Sequence, residues 1–129
     1  MNTLDNLVIK LEAGSLGEAG KTLFIDDIPA GIDDALMIRM NSSQAVNTYV
    51  PLLQPTIQVI KRATTSKIAV EELYKVISLL HVFGEQTWGA QEIVQCHCLS
   101  EPQFIGKDES GRVTYTTSFA LWLRWTPAT

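Results

Sequence analysis

"PQFIGKDESGRVTYTTSF", residues 102–119, holds the pattern that decides the fold. After Gly111 the odd positions read Val113, Tyr115, Thr117, Phe119, Leu121, Leu123 and Trp125. The even positions read Thr114, Thr116, Ser118 and Ala120. Side chains alternate across a strand with period two, so this strand has one apolar face and one face of small hydroxyls. The apolar face requires a core. The smooth hydroxyl face suits close approach by another surface. Upstream, "KDESGR" (107–112) reads as a turn, which makes "QEIVQCHCLSEPQFIG" (91–106) the other arm of a hairpin. Pro102 marks an edge position or a break in that arm, because it has no N–H for a ladder.

Further upstream, "TTSKIAVEELYKVISLLHVFG" (64–84) carries the strongest helical period. Val70, Leu73, Ile77 and Leu80 fall three or four apart, and Tyr74, Val76 and Phe83 widen the stripe. Ser66 is the expected N-cap, Glu71 and Lys75 an i,i+4 pair, and Gly84 the stop. The preceding "PTIQVIKRAT" (55–64) reads as a β-branched strand. "NSSQAVNTYVPLLQP" (41–55) has no clean period and two prolines, and reads mostly as loop. In "KTLFIDDIPAGIDDALMIRM" (21–40), strands at 22–26 and 35–40 flank a loop with Pro29 and Gly31. Leu4, Leu7, Val8 and Leu11 give a first helix, capped by Asn2 or Thr3 and ended at Gly14 or Gly17. Runs of strands with helices set apart predict an α+β fold, a largely antiparallel sheet with two helices packed on one face. Residues 1–129 read as one domain, a length that buries about two-thirds of the unfolded surface.

Composition narrows the function. Hydrophobic residues make up 46% and charged residues 19%, a globular balance. A net charge of −4 without a Lys/Arg cluster disfavours a DNA-wrapping module. No apolar run approaches the ~20 residues of a membrane helix. The N-terminal stretch "MNTLDNLVIKLEAG" lacks the basic start of a signal peptide, so free thiols in a reducing cytoplasm are expected.

Several groups invite a chemical reading. Cys96, His97 and Cys98, with His81 upstream, are the nearest approach to a metal site. On a strand, however, Cys-x-Cys spacing sends His97 to the opposite face, and zinc usually takes four ligands. Buried thiols and a solvent-facing imidazole fit better. The pairs Asp26/Asp27 and Asp33/Asp34 flank "IPAGI" and could hold Mg²⁺ or serve as acid and base. Adjacent residues diverge, though, and Asp favours turns, so the pairs read as an acidic loop. Trp88, Trp122 and Trp125 read as core or subunit contacts. No Gly-rich phosphate loop or nucleophile elbow is present in the sequence. No enzyme, cofactor or metal is expected.

Two stretches carry a family pattern. Residues 55–81, with Ile57, Gln58, Val59 and Arg62 before a helix ending in Leu79-Leu80, resemble the strand-then-helix segment of the tail terminator proteins of long-tailed bacteriophages. That family is also labelled minor capsid or tail completion proteins. Residues 101–123 are similar to its closing hairpin, with Pro102, Ile105, Gly106, Asp108, Gly111 and Arg112 in place. The "CHC" lies outside the pattern. The resemblance implies a tail-terminator-like α+β subunit that forms a homo-oligomer, a hexameric ring. The ring caps the tail tube protein, meets head-tail connector proteins, and lets genomic DNA pass without specific binding or membrane contact. The implied location is the virion tail or neck after assembly in the host cytoplasm. On that reading Asp26, Asp27, Asp33 and Asp34 are candidates for an acidic lumen loop, and Thr114, Thr116, Ser118 and Trp122 for ring or partner contacts. The alternatives are a head-completion or neck adaptor and, from another class, a small α+β ligand-binding domain or enzyme.

Overall fold

The computed structural model describes residues 3–29, 31–43, 52–89 and 91–124. Their elements run α1 (Thr3–Ala13), β1 (Leu23–Ile25), β2 (Ala35–Ser43), β3 (Leu52–Leu53), β4 (Pro55–Ala63), α2 (Ser66–Leu80), β5 (Val82–Trp88), β6 (Gln91–Cys98), β7 (Gln103–Lys107) and β8 (Val113–Arg124). The strands form one sheet along the path β1-β2-β4-β8-β6-β5, with β3 and β7 also pairing to β8. All ladders are antiparallel except β1 with β2, which run parallel. The α+β reading with a largely antiparallel sheet therefore holds.

β8 is the strand the rest is built on. Along one edge it takes β4, from Thr56↔Ala120 to Ala63↔Val113, and then β3 at Leu123 and Arg124. Along the other it takes β6 opposite 119–123 and β7 opposite 113–116. The first arm of the hairpin is thus broken at 99–102, where Pro102 sits. The break is stitched by Leu99 N donating to Ser118 O (2.8 Å) and Thr117 Oγ1 donating to Ser100 O (2.7 Å).

The two faces of β8 separate as its alternation requires. Val113, Thr117, Phe119, Leu121 and Leu123 are buried on one side, while Thr114, Thr116, Ser118 and Ala120 are half-buried on the other. Thr117 lies in the apolar row at no cost in unsatisfied polar atoms, because its hydroxyl is bonded to Ser100 O. Trp125 lies outside the described residues.

Both helices cover the apolar face. Leu4, Leu7, Val8 and Leu11 of α1 join Leu73, Val76 and Leu80 of α2, Ile57 and Val59 of β4, and Phe119, Leu121 and Leu123 in one cluster. The buried line of α2 is rotated from the expected stripe. Ala69, Leu73, Val76 and Leu80 are buried, while Val70 and Ile77 flank them half-buried. The rotation places the small Ala69 against Ala63 and Val113, where helix and sheet come close.

The ends of the helices differ from expectation. Thr65, rather than Ser66, caps α2, its Oγ1 accepting from Ile68 N (3.3 Å). Lys75 pairs with Glu72 at 3.7 Å, so the expected pairing with Glu71 is replaced. The helix ends at Leu80, and Gly84 falls inside β5. His81 is already extended, and its Nδ1 accepts from Cys98 N (3.0 Å), which draws the chain into the sheet. In α1, the expected cap Asn2 lies outside the described residues. The left-handed terminal residue is Ser15 (φ 60°), with Leu16 N donating to Leu11 O and Ser15 N to Glu12 O, a Schellman arrangement. Gly14 serves a different purpose. A Cβ there would lie 2.6 Å from Leu79 Cδ2, so its bareness lets α1 approach α2. Within 41–55, β2 runs on to Ser43 and Leu52–Leu53 form β3, while 44–51 lie outside the described residues. Trp88 is buried in the core cluster, with Lys10 Nζ 5.9 Å from its ring centroid.

Candidate functional site

The acidic segment 26–34 joins the parallel strands β1 and β2, and its two carboxylate pairs have different surroundings. Asp26 N donates to Ile38 O (3.0 Å) from a left-handed backbone (φ 66°), a conformation Asp tolerates. The Asp26 and Asp27 side chains are exposed and unpaired among the described residues. Asp33 lies 3.6 Å from Arg112 Nη1, and Asp34 binds the buried Lys61 ammonium. Lys61 belongs to the helix-facing row of β4, so Asp34 supplies the partner that its burial demands.

Two arginines hold the middle of this segment. Arg62 Nη2 donates to Pro29 O (3.0 Å) and Ile32 O (2.6 Å), and Arg112 Nη1 donates to the same Ile32 O (3.0 Å). Burial first, and then the neighbouring Arg112 charge, pull the Arg62 guanidinium below its ordinary value, against Asp108 and Asp33. Arg62 Nε is buried without a hydrogen-bond partner among the described residues. Arg112 is itself held by the turn. Its backbone N and its Nε donate to Asp108 Oδ1 (2.9 Å) and Oδ2 (2.7 Å), and Ser110 N donates to Oδ1 (3.0 Å). Desolvation pushes the Asp108 carboxyl up, but the bonds from Arg112 and Ser110 outweigh it and hold the group below the usual carboxylate range. Gly111 (φ 83°) provides the left-handed step that folds the turn back.

The hydroxyl face lies beside this anchor. Thr114 stands opposite Arg62, Thr116 opposite Ile60, and Ser118 opposite Gln58. Arg39 Nε donates to Gln58 Oε1 (2.7 Å), Gln58 Nε2 to Thr116 Oγ1 (3.0 Å), and Thr116 Oγ1 to Val59 O (3.2 Å). This chain of bonds fixes the Arg39, Gln58 and Thr116 side chains across the face. Trp122, 38% exposed, stands opposite Gln95, eight residues along β8 from Thr114 and so roughly 26 Å away. The four acids therefore do not form one pocket. The hydroxyls do form one surface, and Trp122 lies at its far end.

Sequence reasoning did not foresee the joint hold of Arg62 and Arg112 on Ile32 O. A signal was present, since each arginine closes one of the two family-like motifs. Spatial convergence of residues fifty positions apart is not readable from either motif alone.

The "CHC" separates across the sheet as its spacing requires. Cys96 is fully buried opposite Leu121, and burial, followed by the nearby Cys98, pushes its thiol up to about 12. Cys98 Sγ donates to Ser100 O (2.9 Å). His97 stands opposite Ala120 on the other face, its Nδ1 3.3 Å from Gln95 Nε2. A Cys96→Ala, Cys98→Ala protein should fold and lose about 1–2 kcal/mol in urea titration, since only one thiol is fully buried. Stoichiometric zinc lost in that variant would contradict the packing role.

No described helix is long and apolar enough to cross a membrane. No curated protein matches the chain. The family model for "Bacteriophage tail terminator protein" matches residues 10–125, from the last turn of α1 past the end of β8, and so spans the anchored acidic loop, the hydroxyl face and both arginines. With nine-tenths of its length matched, the chain belongs to the bacteriophage tail terminator family.

Proposed function

We propose that six copies of this chain form a ring that caps the finished tail tube and joins it to the head connector, with DNA passing through the centre. Membership of the tail terminator family makes the protein a structural component of the phage tail. The carrying observation for the finer reading is the exposed, unpaired pair Asp26 and Asp27 on a loop whose other half is anchored. An exposed carboxylate pair, repeated six times around a channel, repels the phosphate backbone and keeps DNA mobile. Salt screens such charges beyond ~8–10 Å but little at closer range. Asp33 and Asp34 contribute less to the lining, because Arg112 and Lys61 neutralise them. The hydroxyl row of Thr114, Thr116 and Ser118, with Trp122 at its end, offers the surface for a neighbour in the ring or for a tail or connector partner.

Asp26→Asn with Asp27→Asn should leave the melting temperature and ring size unchanged while making the ring retain double-stranded DNA at low salt. Asp33→Asn with Asp34→Asn should instead loosen the loop. Sizing, melting and DNA retention measured together test the assignment. A ring in which Asp26 and Asp27 face outward would refute it.

A further inference from the structure

Strand β7 leaves large apolar side chains uncovered. Phe104 is 58% and Ile105 53% exposed, and Leu99, just before the arm, is 52% exposed. The Phe104 ring meets Tyr115 at a tilt of 56°, with ring centroids 5.5 Å apart. A bulge between Phe104 and Gly106 turns the strand so that both neighbours stand free. Exposed neighbouring apolar groups of this size mark a contact surface. The single charge of the strand, Lys107, has no ion pair among the described residues.

A matching recess lies elsewhere on the same chain. Between the end of α1 and the outer side of α2 is a cleft of about 500 Å³, lined by Gly14, Leu16, Tyr74 and Leu79 among others. Its lip carries Glu71, which is exposed and without an ion pair among the described residues, while Lys75 is already taken by Glu72. The lip is thus net negative, and the arm offers a lone positive charge beside its apolar pair. The buried line of α2 faces the sheet, so the cleft on its outer side opens to solvent, whereas β7 lies in the sheet, paired to β8. An arm held in the sheet by its ladder with β8 does not reach a cleft on the solvent side of α2 in its own chain, so the two are free to meet between molecules.

We infer that the β7 arm of one subunit inserts Phe104 and Ile105 into the α1–α2 cleft of a second copy of this chain, with Lys107 set against Glu71. The assignment rests on the ring reading above. A contact between two different patches of one chain is head-to-tail, and it closes into a ring when its rotation divides a full turn.

Native mass measurement and sedimentation of the full chain, alone and with purified tail tubes, test this. Phe104→Ser with Ile105→Ser, at exposed positions, should keep the melting temperature and raise the concentration for half-assembly about tenfold or more. Lys107→Glu and Glu71→Lys should each weaken assembly by about threefold, and the two charge reversals combined should restore it. Unchanged assembly in the apolar variant, or no recovery in the charge swap, overturns the arm–cleft contact and leaves the ring reading standing. Normal rings that no longer bind tubes would assign the arm to the tube protein instead, and the inference falls. A wild-type chain that stays monomeric even on tubes overturns the ring reading and the inference together.

Discussion

Leu73→Ala will lower the free energy of unfolding by about 2–5 kcal/mol. Leu73 is fully buried on α2 and belongs to the cluster that joins both helices to β4 and β8. Truncation removes apolar area from the centre of that contact. It also leaves a void in a close-packed cluster, and the cavity adds to the cost of the lost transfer energy. Ile77→Ala, one turn on and only half-buried, should cost less. Glu72→Ala should cost little, since its pairing with Lys75 is a surface pair with the lysine 65% exposed. Urea denaturation of the three variants separates them. Equal losses at Leu73 and Glu72 would show that the buried line of α2 lies elsewhere.

Removing both loop anchors, with Arg62→Met and Arg112→Met, will cost about 2–4 kcal/mol and release the acidic segment. Four hydrogen bonds are lost, from Arg62 to Pro29 O and Ile32 O and from Arg112 to Ile32 O and Asp108 Oδ2, together with the Arg112–Asp33 ion pair. Methionine keeps much of the stem packing, so the loss reports on the guanidinium groups. Relief of the repulsion between the two arginines offsets part of the cost, which keeps the figure moderate. Hydrogen exchange should show faster opening at 26–34 while the β4–β8 ladder stays protected. If the loop amides keep their wild-type rates, the arginines do not hold it.

Much of this fold was legible because two periods were clean. The alternation after Gly111 placed β8 and named its buried row, and Phe119, Leu121 and Leu123 are buried as that row requires. The spacing from Leu73 to Leu80 placed α2, although the buried line shifted to admit Ala69 beside Ala63. β5 was missed because "HVFG" extends the apolar pattern of the helix. What ends the helix is a bond from Cys98 N to His81 Nδ1, a contact seventeen residues away that no local period records. The parallel pairing of β1 and β2 was hidden for a similar reason, since a nine-residue loop between two strands reads equally well as a hairpin connection. For the site, the residue types of the acidic segment were visible. Its division into a free pair and a neutralised pair was not, because that depends on Lys61 and Arg112 arriving from β4 and from the turn before β8.

In the proposed assembly a closed ring sits on the tail tube with Asp26 and Asp27 toward its axis. Single-particle electron microscopy of the full chain bound to purified tail tubes tests it most directly. The expected image is a six-fold ring at one end of each tube, a channel wide enough for duplex DNA, and the 26–34 loops projecting into it. A chain that remains monomeric beside intact tubes would contradict it.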